Sequence, residues 1–128
     1  MPDIVSLNPV EPTPEDLSRL LKLGREPAGG GPSAVIERRL ERLAKALLRA
    51  SVALRDDRPS GVAEAACDAA RLARGLGLRR AFRVAQATAA LAGSPDRTAL
   101  AANVARLVRL GDQAVTCIWE EADHSSGA

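Results

Sequence analysis

Between residues 33 and 121 the apolar positions recur every three or four residues, in four blocks parted by short polar or glycine-bearing breaks. That period marks helices with one apolar face. In the first block Ile36, Leu40, Leu43, Leu47 and Leu54 share a face. Leu48 and Val52 lie off it, on the side of Glu41 and Lys45, and either cover a short helix nearer the N-terminus or meet a second chain. Ser33 stands before the block as an N-cap, and Asp56-Asp57-Arg58-Pro59 ends it near Arg55. The second block runs from its cap Ser60 to about Leu76, with Val62, Ala65, Ala69, Leu72 and Leu76 in line. Gly75 and Gly77 bracket its end. The third, Leu78 to Ala92, aligns Leu78, Phe82, Ala85 and Ala89 and stops at Gly93. The fourth opens on Ser94-Pro95-Asp96, a cap, a proline and an acid. It aligns Leu100, Val104, Leu107, Gly111, Val115 and Ile118 and runs to about Glu121.

Ahead of these blocks, Thr13-Pro14-Glu15-Asp16 reads as a helix start. Leu17, Leu20, Leu21 and Leu23 follow, and Gly24 closes a short helix. Residues 1–12, with Pro2, Pro9 and Pro12, read as an extended arm, and 122–128 as a flexible polar tail. Brief connections favour antiparallel neighbours. The pattern therefore predicts an all-α protein: an antiparallel up-down four-helix bundle with a short extra N-terminal helix, as one domain over 13–121.

Composition narrows the choice further. Of 128 residues, 25 are Ala and 17 Leu, while only 2% are aromatic. A core of Ala and Leu suits close-packed helices better than a sheet. No apolar run approaches the length of a membrane span. The first residues lack the basic-then-apolar pattern of a secretory signal, so the expected location is cytoplasmic. Two Cys and one His supply neither a disulfide framework nor a metal cage, and no pattern calls for a cofactor. The Gly29-Gly30-Gly31 loop lacks the Lys-Ser/Thr and the preceding strand of a phosphate-binding loop. His124, in the tail, has no companion for acid–base work. The chain is expected not to be an enzyme.

The net charge of +2 points to no particular partner, but its distribution is uneven. Residues 69–111 carry eight Arg and one Asp, flanked by a near-neutral first half and an acidic end. The block reads as a basic docking surface. It lacks a helix-turn-helix pattern and stacking aromatics, which argues against nucleic acid.

One position stands out. On the second helix Cys67 lies about 180° from the centre of the core stripe. Its neighbours at helical spacing are Ala63, Glu64, Ala70, Arg71 and Arg74. A free Cys is ordinarily buried, so an outward one is informative. With no His nearby, a Cys–His nucleophile is excluded. Cys67, mid-helix and facing outward, and Cys117, near the far end of the last helix, are expected not to pair, since bridged Cα atoms lie within about 7 Å.

The stretch Ala65-Ala66-Cys67-Asp68-Ala69-Ala70-Arg71-Leu72-Ala73-Arg74-Gly75-Leu76-Gly77-Leu78 resembles the signature helix of histidine-containing phosphotransfer (HPt) domains. Those domains carry an exposed phospho-accepting His on a bundle helix. An apolar residue follows two positions on, then Lys, then Gly, and six residues later a Gly leads into the next helix. Gly77 matches that last Gly, and Leu76 the apolar residue before it. Cys67 stands in the place of the His, Ala69 in the apolar position, Ala70 in place of the Lys and Arg71 in place of the Gly. The resemblance spans the order and lengths of the helices over about 33–121. The Leu-Gly turn and the alanine-rich spacing match; the residues that carry the chemistry do not. It implies a member that keeps the docking surface and has lost the phosphate acceptor. Its partner would be a response-regulator receiver domain or a histidine kinase of a two-component system. Glu64, Cys67, Asp68, Arg71, Arg74 and Arg79 would form the contact face. The second reading, favoured by Leu48, Val52 and Leu91 off the core stripes, is a helical interaction module unrelated to phosphorelays that pairs with itself as a homodimer.

Overall fold

The computed structural model describes residues 34–127, with side chains through Glu120. The expected arm, the short helix at 13–24 and the cap Ser33 lie outside the described residues. Four helices make up the described chain: α1 (Ala34–Arg55), α2 (Pro59–Gly75), α3 (Arg79–Ala92) and α4 (Arg97–Gly127). No strand occurs among the described residues. Each helix packs on the next, and α4 returns to α1, which closes a ring around one interior.

The helix ends are set by local chemistry. Gly77 has φ 77°. Its N–H donates to the carbonyl of Arg74, and that of Leu78 to the carbonyl of Ala73. This is a Schellman stop, which needs a residue in the left-handed region at its turn. The α1 stop is built the same way, with Arg58 donating to Ala53 and Asp57 to Leu54. Here the left-handed position is taken by Asp57, at φ 56°.

Several boundaries depart from the sequence expectation. Helix α2 opens on Pro59 rather than behind a Ser60 cap, because proline suits the first helical turn, where no N–H partner is needed. Helix α4 starts at Arg97 with Asp96, not Ser94, as its cap. The Asp96 carboxylate accepts from the Ala99 N–H at 3.0 Å, while Ser94 Oγ accepts from the Asp96 N–H at 3.2 Å. A carboxylate is the better acceptor at the positive end of a helix. The backbone of α4 stays helical to Gly127, past the expected end near Glu121 and through most of the segment read as a tail.

Ile36, Leu40, Leu43 and Leu47 of α1 are buried on the face the period predicts. So are Val62, Ala65 and Ala69 of α2, and Leu100, Val104, Leu107 and Ile118 of α4. Alanines dominate the α1–α2 side: Ala46, Ala50 and Ala53 on one helix, and Ala65, Ala66, Ala69 and Ala73 on the other. Small side chains let the two backbones come close, and a methyl added at Gly61 would lie 3.0 Å from Ala53 Cβ. The largest buried side chains are leucines, with Leu76 and Leu78 of the α2–α3 turn among them. The α3 stripe is rotated from its expected position. Ala81, Val84, Ala85, Thr88 and Ala92 are buried, whereas Phe82 and Ala89 are only half-buried. Thr88 is tolerated inside because its hydroxyl donates to the Val84 carbonyl at 2.7 Å.

Candidate functional site

Cys67 is exposed in mid-α2, as the helical angle predicts. Neither it nor the half-buried Cys117 is in a disulfide. Glu64 and Arg71 are also exposed, one turn to either side of Cys67. These positions share a face because residues three and four apart stack on a helix. Their inward neighbours Ala65, Ala66, Ala69 and Ala73 sink the opposite face into the core, which fixes the outward direction of Cys67.

Asp68 organises the charges around it. One carboxylate oxygen accepts from Arg71 Nη2 at 2.7 Å, one turn along the same helix. The other accepts from Arg49 Nη2, also at 2.7 Å, across from α1. The hydrogen bond from Arg49 holds the Asp68 carboxyl below its usual range. The positive charges of Arg49 and Arg71 act in the same direction, against a partial loss of solvent. The site is therefore fixed by an interhelical ion-pair network, with Asp68 about one-third exposed and the two arginines more so.

The remaining predicted residues are less closely gathered. The Arg74 guanidinium lies 6.0 Å from the centre of the Phe82 ring, which draws it towards α3. Arg79 opens α3 on the far side of the Gly77 turn. Glu64, Cys67, Asp68 and Arg71 thus lie together on the outer side of α2, with Arg74 a turn further on and Arg79 beyond the α2–α3 turn. Ala70, which takes the Lys position in the resemblance, is only 8% exposed. The sequence reading placed it among the outward neighbours of Cys67. It is buried because α3 as well as α1 packs on α2, which widens the inward face beyond one stripe.

The α1 side of the site escaped the sequence reading. Arg42, Lys45 and Arg49, with Asp68, Arg71 and Leu72, line a hollow of about 350 Å³. The available signal was the placement of three cations on one side of α1, but only its packing against α2 joins them to Asp68. Arg39, further along α1, donates to the carbonyl of Gly75 at 3.3 Å and caps the end of α2.

Among the described residues no group of three His, Cys, Asp or Glu side chains is placed to hold a metal ion. No described helix is long and apolar enough to cross a membrane. Comparison with known proteins finds no matching family model, no matching curated protein and no matching solved structure.

Proposed function

We propose that this chain is an HPt-like adaptor that docks on a receiver domain or histidine kinase without itself accepting a phosphoryl group. The observation that carries the reading is the outward face of α2. An exposed Cys67 stands mid-helix where the resemblance has its His, beside a charged network made by Asp68, Arg49 and Arg71. The three-residue connections 56–58 and 76–78 and the four-residue connection 93–96 support an up-down antiparallel course for the bundle. That course presents one helix face along its full length, as docking requires. Glu64, Asp68 and Arg71 supply polar contacts, and the surrounding arginines suit an acidic partner surface.

The chemistry argues against transfer. Positioning dominates phosphoryl transfer. A cysteine sulfur lies closer to the helix than an imidazole nitrogen would, and the buried Ala70 offers no cation. The expected outcome of a radiolabel assay with a cognate kinase and receiver is no stable label on the wild type. Cys67→His alone restores no efficient transfer, because Ala70 and Arg71 also depart from the pattern. Label on the wild type would overturn the adaptor reading.

Self-association is the second reading. Leu48 is 64% exposed, with Val35 and Trp119 also exposed, and all three lie on α1 and α4 rather than on α2. Sedimentation over a range of concentrations separates the two readings: a dimer that binds no two-component partner favours the second.

A further inference from the structure

Arg42, Lys45 and Arg49 stand on one side of α1, and Arg71 comes to the same place from α2. With Asp68 and Leu72 they line the open hollow of about 350 Å³, within the size range of small-ligand clefts. Four cations face one carboxylate there, an excess of three positive charges. Like charges a helical turn apart repel one another. Arg42 and Lys45 make no ion pair among the described residues, and Glu41, one turn from Lys45 on α1, does not line the hollow. Asp68 meanwhile holds Arg49 and Arg71 on opposite walls through single 2.7 Å bonds. Each guanidinium carries five N–H donors, so most of their donors are left for another acceptor.

We propose that this hollow binds a dianionic phosphoryl group. A single carboxylate is already present and leaves the charge excess standing, whereas a dianion removes most of it. The oxygens of a phosphoryl group can accept from both walls at once, and guanidinium groups match that geometry. In this arrangement Asp68 competes with the incoming anion for the donors of Arg49 and Arg71. The inference stands on the hollow itself and holds whether or not the protein docks on a receiver.

The test is a titration of the full chain with inorganic phosphate and, separately, with a short phosphoserine peptide. Both are run at constant ionic strength in chloride and followed by amide and arginine side-chain NMR. Saturable shifts confined to residues 42–49 and 68–72 are expected. Saturation by both probes assigns a free phosphate site, and saturation by the peptide alone assigns a protein-borne group. Affinity falls about tenfold in the exposed double variant Arg42→Ala/Lys45→Ala. It rises several-fold in Asp68→Asn, which removes the competing carboxylate while leaving the cations. Arg83→Ala changes nothing, because Arg83 lies in a separate hollow between α3 and α4 with Arg80 and Arg106. Binding of the phosphoserine peptide also weakens below about pH 6, as its phosphoryl group loses the second charge. Shifts that never saturate with either probe, or weaker binding by Asp68→Asn, would overturn the proposal. So would indifference to the Arg42/Lys45 double variant.

Discussion

At the scale of single residues, the two helix stops offer a controlled comparison. Gly77 and Asp57 both occupy left-handed backbone, at φ 77° and 56°. Glycine adopts that conformation without a Cβ clash, whereas other residues are strained there. Asp57 has a partial offset in its ion pair with Arg97, but both side chains are largely exposed, and such pairs contribute little. Asp57→Gly is therefore expected to stabilise the fold by about 0.5 kcal/mol, after allowing for the freer unfolded chain. Gly77→Ala should destabilise it by about 1 kcal/mol. Urea unfolding midpoints measure both. Asp68 makes a different prediction. Its folded carboxyl titrates below the ordinary value of 3.8 because Arg49 and Arg71 hold the charged form. A lowered carboxylate stabilises the fold above its unfolded pKa, and that share is lost as pH falls through the folded value. Wild type and Asp68→Asn should thus differ by a constant amount above about pH 5, of about 0.5–1 kcal/mol for a partly exposed network. The two curves should converge below the ordinary carboxylate range. Denaturant titrations from neutral pH into acid measure the difference.

At the scale of helices, Gly111 shows how closely α4 approaches α1. A methyl built on Gly111 would run into Leu47 Cδ1. Leu47 is only 5% exposed and packed in the core, so it has little room to withdraw. Gly111→Ala gains about 1 kcal/mol in helix propensity and loses about 1–3 kcal/mol to overpacking. The expected result is a net destabilisation. It should shrink when Leu47 is first shortened to Ala, and a double-mutant cycle read by thermal unfolding detects that coupling. The period of apolar residues places Gly111 on the core stripe but says nothing of why a glycine stands there; the reason lies in the opposing helix. Helix α3 teaches the same lesson. Periodicity finds the element but aims its stripe at Phe82 and Ala89. Its actual rotation is set by packing against both α2 and α4, which buries Val84 and Thr88 instead. Ser60 and Ser94 do not cap their helices for a more local reason. Each stands within two residues of a competitor, Pro59 or Asp96, that fills the terminal position better.

For the whole molecule, the outward direction of Cys67 was legible because α2 alone determines it. The charged network was not, because Arg49 and Asp68 are 19 residues apart and meet only when α1 lies against α2. The basic block at 69–111 drew attention to Arg71 and Arg74, yet three of the four cations beside Asp68 come from α1, outside that block. On α1 the exposed Leu48 and the ion-paired Arg49 also point in different directions. The Cys67 patch lies on α2 with Arg49 of α1, whereas Leu48 is turned roughly 100° from Arg49 around α1. Docking through the first surface and self-association through the second should therefore be separable by mutation. Arg71→Glu is expected to weaken binding to a cognate receiver or kinase by about 1–3 kcal/mol where the contact is desolvated. It should leave the oligomeric state unchanged. Leu48→Glu should leave partner affinity within about 0.5 kcal/mol of wild type and reduce any concentration-dependent association. Calorimetry of partner binding and analytical ultracentrifugation, run on both variants, measure the two effects independently. An Arg71→Glu protein that binds its partner unchanged would remove α2 from the docking surface. A Leu48→Glu protein that loses partner binding would shift that surface to α1 and α4, where the exposed apolar side chains would have to carry it.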